Sequence, residues 1–147
     1  MNFHPRLHVT GQPTPGLRSI ADVRAAVRTG HTAKLYARLL TKTDAEMAKP
    51  AWTPTTALPG RDPASIRHGN REFLLVATVA RRMEDAALMG LLTGERRYAE
   101  TVLAQFRSLM DTTQWPELED ISHLKSGDVC SLRRGLLAAA LGMGYDW

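Results

Sequence analysis

Apolar residues recur at three- and four-residue steps along most of the chain, the spacing that lines one face of a helix. From Phe73 the series Phe73, Val76, Ala77, Ala80, Ala87, Leu88 and Leu91 predicts a long helix, with Arg81, Arg82, Glu84 and Asp85 opposite it as a solvated face. Arg81 and Asp85 stand four residues apart on that face, an ion pair worth a few tenths of a kcal/mol. Thr93-Gly94-Glu95 stops the helix, and from Glu95 to about Thr113 a second one sets Tyr98, Val102, Phe106 and Leu109 on one stripe. So short a turn makes the two helices antiparallel, stripe against stripe. This hairpin, Arg67 to Gln114, is the predicted centre of the fold.

The flanks follow the same rules. Residues 1–17 read as an extended lead-in lying over other elements, because Pro5, Pro13 and Pro15 bias their predecessors away from helix. The helical domain then covers 18–147. Ser19 with Asp22 three residues on predicts a helix start, Ile20, Val23 and Val27 share a face, and Gly30 is the stop. Thr32 is the predicted cap of a second helix reaching about Lys49, with Leu35, Leu39, Leu40, Ala45 and Met47 as anchors. Pro50 to Pro63, with four prolines, reads as a loop of about 14 residues, a length found in surface crossings as well as in functional loops. Asp62-Pro63 or Gly69-Asn70 marks the next helix start. Trp115-Pro116 breaks the hairpin's second helix, and Ser126 or Asp128 caps a last one with the stripe Val129, Leu132, Leu136, Ala140 and Met143. Recurring helix pairs suggest an array or toroid of hairpins.

Composition changes this picture little. At 147 residues the chain is the size of one domain. Its net charge of +4 is concentrated in front, residues 1–60 carrying 8 Lys/Arg against 3 Asp/Glu. That excess favours polyanions in general, nucleic acid, acidic polysaccharide or anionic lipid. The single cysteine, Cys130, excludes an internal disulfide and fits a small buried side chain. No secretory signal or apolar stretch of membrane-spanning length is present, so the chain as written reads as cytoplasmic, or as periplasmic or secreted if an upstream signal has been lost. An apolar run, Leu136 to Leu141, shortly before Trp147 suggests a continuation or an oligomeric partner to cover the last helix.

Chemistry-bearing patterns are sparse. The five histidines, His4, His8, His31, His68 and His123, form no metal-ligand spacing, and there is no phosphate loop or nucleophile elbow. His68-Gly69-Asn70-Arg71 reads as helix-start punctuation or a binding cluster, and Tyr98, in mid-stripe, as core. Trp115 and His123 are candidate binding residues on a connecting loop, although Trp115 also fits a lid packed over the hairpin. Tyr145-Asp146-Trp147 suits a sugar-stacking surface or a helix end anchored in the core.

The order of features carries a resemblance. His4-Pro5-Arg6-Leu7 with a strand-like lead-in, then Leu91-Leu92-Thr93-Gly94-Glu95-Arg96-Arg97-Tyr98-Ala99, the Trp115 loop, His123-Leu124 and an Ala-rich helix ending Tyr145-Asp146-Trp147 resemble the N-terminal region of heparinase II/III-type polysaccharide lyases. The resemblance spans nearly the whole chain, departing at Leu7-His8-Val9 and at Gly142 and Gly144. It implies an all-α chain whose helical hairpins form the first part of an incomplete (α/α) toroid, followed in full-length members by a β-rich region. It further implies β-elimination on uronate-containing acidic glycans: a donor masks the uronate carboxylate, a Tyr or His removes the adjacent proton, and a Tyr protonates the leaving oxygen. In that family the Asn, Tyr and His concerned follow the position of Tyr145-Asp146-Trp147, so no catalytic residue is carried over to this chain. The implied role is scaffold and substrate-cleft wall through Trp115, His123, Tyr145 and Trp147, with no metal or cofactor, no membrane and an acidic polysaccharide as partner. The rival reading is a helical-repeat module that binds protein or nucleic acid through its basic face, nucleic acid being the less favoured of those partners.

Overall fold

The computed structural model describes residues 9–12, 14–54, 56, 68–115 and 132–147, without the side chains of 68–72 and 132–134. Helix dominates them: α1 (Ile20–Ala26), α2 (Gly30–Met47), α3 (His68–Thr93), α4 (Arg96–Leu109) and α5 (Leu132–Asp146). The all-α class follows. The helix starts expected at Asp62 and at Ser126 or Asp128 lie outside the described residues, as does Cys130.

The lead-in is more than a cover. Val9–Thr10 (β1) pairs in parallel with Arg18–Ser19 (β2), Val9 opposite Arg18 and Thr10 opposite Ser19. Ser19 closes this ribbon and opens α1: its Oγ accepts from the Asp22 N–H at 3.2 Å while its own N–H donates to the Asp22 carboxylate at 3.1 Å, a reciprocal cap. The Asp22 carboxyl is held below its ordinary range first by the Ser19 hydroxyl, which donates to it at 2.7 Å, and then by the Ser19 N–H. Thr32 does not cap α2, which starts at Gly30; the Thr32 hydroxyl instead donates back to Ala26 O and Thr29 O.

α3 is the central element, packing most extensively on α5, then on α4, α2 and α1. Contact on several sides explains why its buried set is wider than the single stripe that periodicity marks. Leu75, Val76, Val79, Ala80, Met83, Ala86, Ala87, Met89 and Leu91 are buried, while Phe73, assigned to the stripe, is 38% exposed. Tyr98, Val102 and Leu109 of α4 and Ala140 of α5 complete the core, with Trp115 among them. Each large side chain so buried contributes roughly 1.5–3 kcal/mol.

The hairpin turn is built locally. Gly94 has φ +76°, in the left-handed region that favours glycine, and its N–H donates to Gly90 O at 2.8 Å. Arg24 of α1 adds two bonds to Leu91 O, at 3.1 and 2.7 Å, placing a cation on the carbonyl end of α3.

Candidate functional site

Pro50 ends α2, and the segment after it, residues 49–54, is laid across α3 and α4 as a strap. Two buried polar side chains hold it. Gln105 of α4, fully buried, accepts from Trp52 N–H through Oε1 at 2.8 Å and donates from Nε2 to Trp52 O at 3.0 Å. Arg82 of α3 donates to Pro50 O at 2.7 Å, Lys49 O at 2.8 Å and Glu46 O at 3.0 Å, closing the carbonyl end of α2. Its guanidinium also lies 5.1 Å from the centre of the Trp52 ring. Arg82 was assigned above to a solvated face; it is 6% exposed, because that face of α3 receives α2 and the strap. Burial pushes its guanidinium below the ordinary range, with Glu46 opposing.

Beneath the strap, α2 and α3 leave a cleft of about 290 Å³. Lys42, Thr43, Glu46 and Met47 line it from α2, Leu74, Ala77, Thr78, Arg81, Arg82, Asp85 and Ala86 from α3, and Trp52 and Thr101 close it. Asp85, expected to pair with Arg81, is bonded across the helices by Lys42 at 2.5 Å. Burial raises the Glu84 carboxyl above its ordinary range, Arg81 lowering it and Asp85 raising it in turn.

Three side-chain atoms around this cleft are buried without a hydrogen-bond partner: Thr43 Oγ1, Glu46 Oε2 and Arg82 Nε. An unpaired buried polar atom costs about 1–3 kcal/mol. Three of them on one lining are what a small polar ligand would satisfy, and a concave site with apolar walls and a few convergent polar groups has the makings of a small-molecule site.

A second polar cluster lies around Asp44, in the same C-terminal stretch of α2. Tyr98 Oη donates to Asp44 Oδ1 at 2.8 Å and accepts from Arg97 at 2.9 Å, with Glu95 bonded to Arg97. Burial first, then the bond to Asp44, pushes the Tyr98 phenol up to about 12. At neutral pH Tyr98 is thus a proton-holding donor fixed in the core.

The sequence-derived candidates occupy different places. Trp115 is 1% exposed within the core cluster, and its indole N–H donates to Ser108 Oγ at 3.0 Å. The half-buried Trp147 packs against that same cluster, and Asp146 beside it is buried. Tyr145 is 81% exposed. His123 lies outside the described residues. Trp115 and Trp147 therefore share one core cluster, and Tyr145 is exposed outside it. No family model, curated protein or solved structure matches the chain. Among the described residues no group of three or more His, Cys, Asp or Glu could hold a metal ion, and no helix is long and apolar enough to cross a membrane.

Trp52, Thr43, Glu46 and Gln105 went unmarked in the sequence, and Arg82 was marked only as a solvated residue. The one available signal was Trp52 itself, an aromatic set between Pro50 and Pro54.

Proposed function

We propose that this chain is a helical scaffold of a polysaccharide lyase acting on uronate-containing acidic glycans by β-elimination, and that it holds glycan rather than cleaving it. The observation that carries the reading is the concave α2–α3 cleft, whose lining sets Trp52 together with Lys42, Arg81 and Arg82. An aromatic ring offers an apolar face to sugar C–H groups, and the exposed Lys42 and Arg81 offset carboxylates on the neighbouring residues of the glycan. Helices packed about α3 suit the opening layers of an incomplete (α/α) toroid. Neither Tyr nor His is among the described residues lining the cleft, so proton abstraction belongs to residues elsewhere.

The test is a titration of the purified chain with alginate and heparin oligosaccharides, coupled to ultraviolet detection of unsaturated uronate products. Binding that weakens with salt, without product, is expected. Product formation would assign catalysis to the chain and overturn the scaffold role. Absence of binding to either glycan, with steeply salt-dependent binding to nucleic acid, would replace this reading by that of a basic interaction module.

A further inference from the structure

We infer that the α2–α3 cleft takes one neutral sugar ring and reads its hydroxyl groups through Thr43, Glu46 and Arg82. The assignment of a sugar, as against another hydroxylated molecule, rests on the glycan reading above; the demand for hydroxyl groups does not.

That demand comes from the three unpartnered atoms. Arg82 Nε–H can only donate, Glu46 Oε2 as a carboxylate oxygen can only accept, and the Thr43 hydroxyl can do either. A carboxylate or phosphate could accept from Arg82 but would be repelled by Glu46. An ammonium could donate to Glu46 but would be repelled by Arg82. A hydroxyl group accepts from one and donates to the other while carrying no charge.

Thr43 points the same way. The hydroxyls of Thr41, Thr93 and Thr101 each donate to the carbonyl four residues earlier, on Ala37, Met89 and Arg97, the usual satisfaction of a helical threonine. Thr43, inside the C-terminal part of α2 and only 2% exposed, makes no such bond. Met47, Leu74 and the half-buried Trp52 supply apolar wall for the C–H face of a ring. The volume, about 290 Å³, lies at the lower edge of small-molecule sites and suits one ring rather than a chain of them.

The experiment is an NMR titration of the full chain with the methyl glycosides of glucose, galactose and mannose, with glucuronate and inorganic phosphate in parallel, following the Trp52 indole and Thr43 amide signals. At least one neutral glycoside should give saturable shifts confined to α2, α3 and the strap, while phosphate gives none. Glucuronate should bind no tighter than its neutral counterpart. Thr43→Val should weaken binding about fivefold, the weight of one hydrogen bond, and Glu46→Gln should remove the discrimination against glucuronate. The unfolding midpoint of Thr43→Val should stay equal or rise, since the lost hydroxyl has no partner.

Cleft signals that no neutral glycoside moves, or saturable binding of phosphate there, would overturn the inference. So would a Thr43→Val chain that binds normally but is less stable. Acidic oligosaccharides that bind at Lys42 and Arg81 while no neutral glycoside moves the cleft signals would sink this inference and leave the glycan scaffold standing. Neutral glycosides in the cleft with no acidic oligosaccharide bound would do the reverse.

Discussion

Gln105 and Trp52 are joined as a backbone pair would be: one side-chain amide takes both main-chain groups of a residue 53 positions away, at 2.8 and 3.0 Å. Neither partner could be released cheaply, because Gln105 is fully buried. Replacing it with Leu, close in volume, leaves the Trp52 N–H and C=O to find water or stay unpaired. Gln105→Leu should cost roughly 2 kcal/mol in urea unfolding and shift tryptophan emission to the red as the strap loosens. Unchanged stability would mean that the strap is held by other contacts.

Arg82 should be the more costly loss. Its three carbonyl bonds, at 2.7 to 3.0 Å, join α3 to the end of α2 and to the strap. Arg82→Met keeps the stem and drops the donors, and should destabilise by about 3 kcal/mol or more, bonds from a charged donor being among the stronger ones. Arg82→Lys should recover only part, because an ammonium lacks the planar fork that reaches several carbonyls at once. Thermal unfolding of both variants checks the order.

Tyr98 gives the fold an alkaline limit. Its phenol titrates near 10 in the unfolded chain and at about 12 in the folded one. Below pH 10 both states keep the proton and the contribution is whole; as pH rises from 10 towards 12, the unfolded chain alone releases it and stability falls. Tyr98→Phe should flatten that decline and, by losing the bond to Asp44, cost about 1 kcal/mol at neutral pH. Stability measured by urea unfolding across this pH range, with and without the substitution, decides the point.

Gly144 and Gly142, two residues apart on α5, should respond in opposite ways to the same change. A Cβ at Gly144 would stand 2.8 Å from Val102 Cγ1, whereas one at Gly142 would meet nothing within 4 Å. Gly144→Ala should therefore destabilise by about 1–3 kcal/mol, as overpacking does, and be relieved by Val102→Ala in the double variant. Gly142→Ala should stabilise by roughly 0.5–1 kcal/mol through helix propensity. Equal effects at the two sites would show that α5 does not seat on α4 at Val102.

What the sequence determined by itself is local. The helical class, the Ser19–Asp22 cap, the break at Pro50 and the turn at Gly94 each depend on residues within about one helical turn of one another, so spacing and residue type suffice to read them. The tertiary structure decided the rest. A charged residue opposite an apolar stripe reads as solvated until a neighbouring helix end arrives there, which is why Arg82 proved to be a buried clamp. Thr43, an ordinary helical threonine in sequence, became an unpartnered hydroxyl in a cleft through the packing of α2 on α3. Trp115, legible both as loop surface and as lid, went to the core because its ring joins the cluster that holds Val102 and Leu109 while its indole N–H finds Ser108. Long-range pairings such as Gln105 with Trp52 leave no periodic trace, since neither residue type nor spacing says which helix faces will meet.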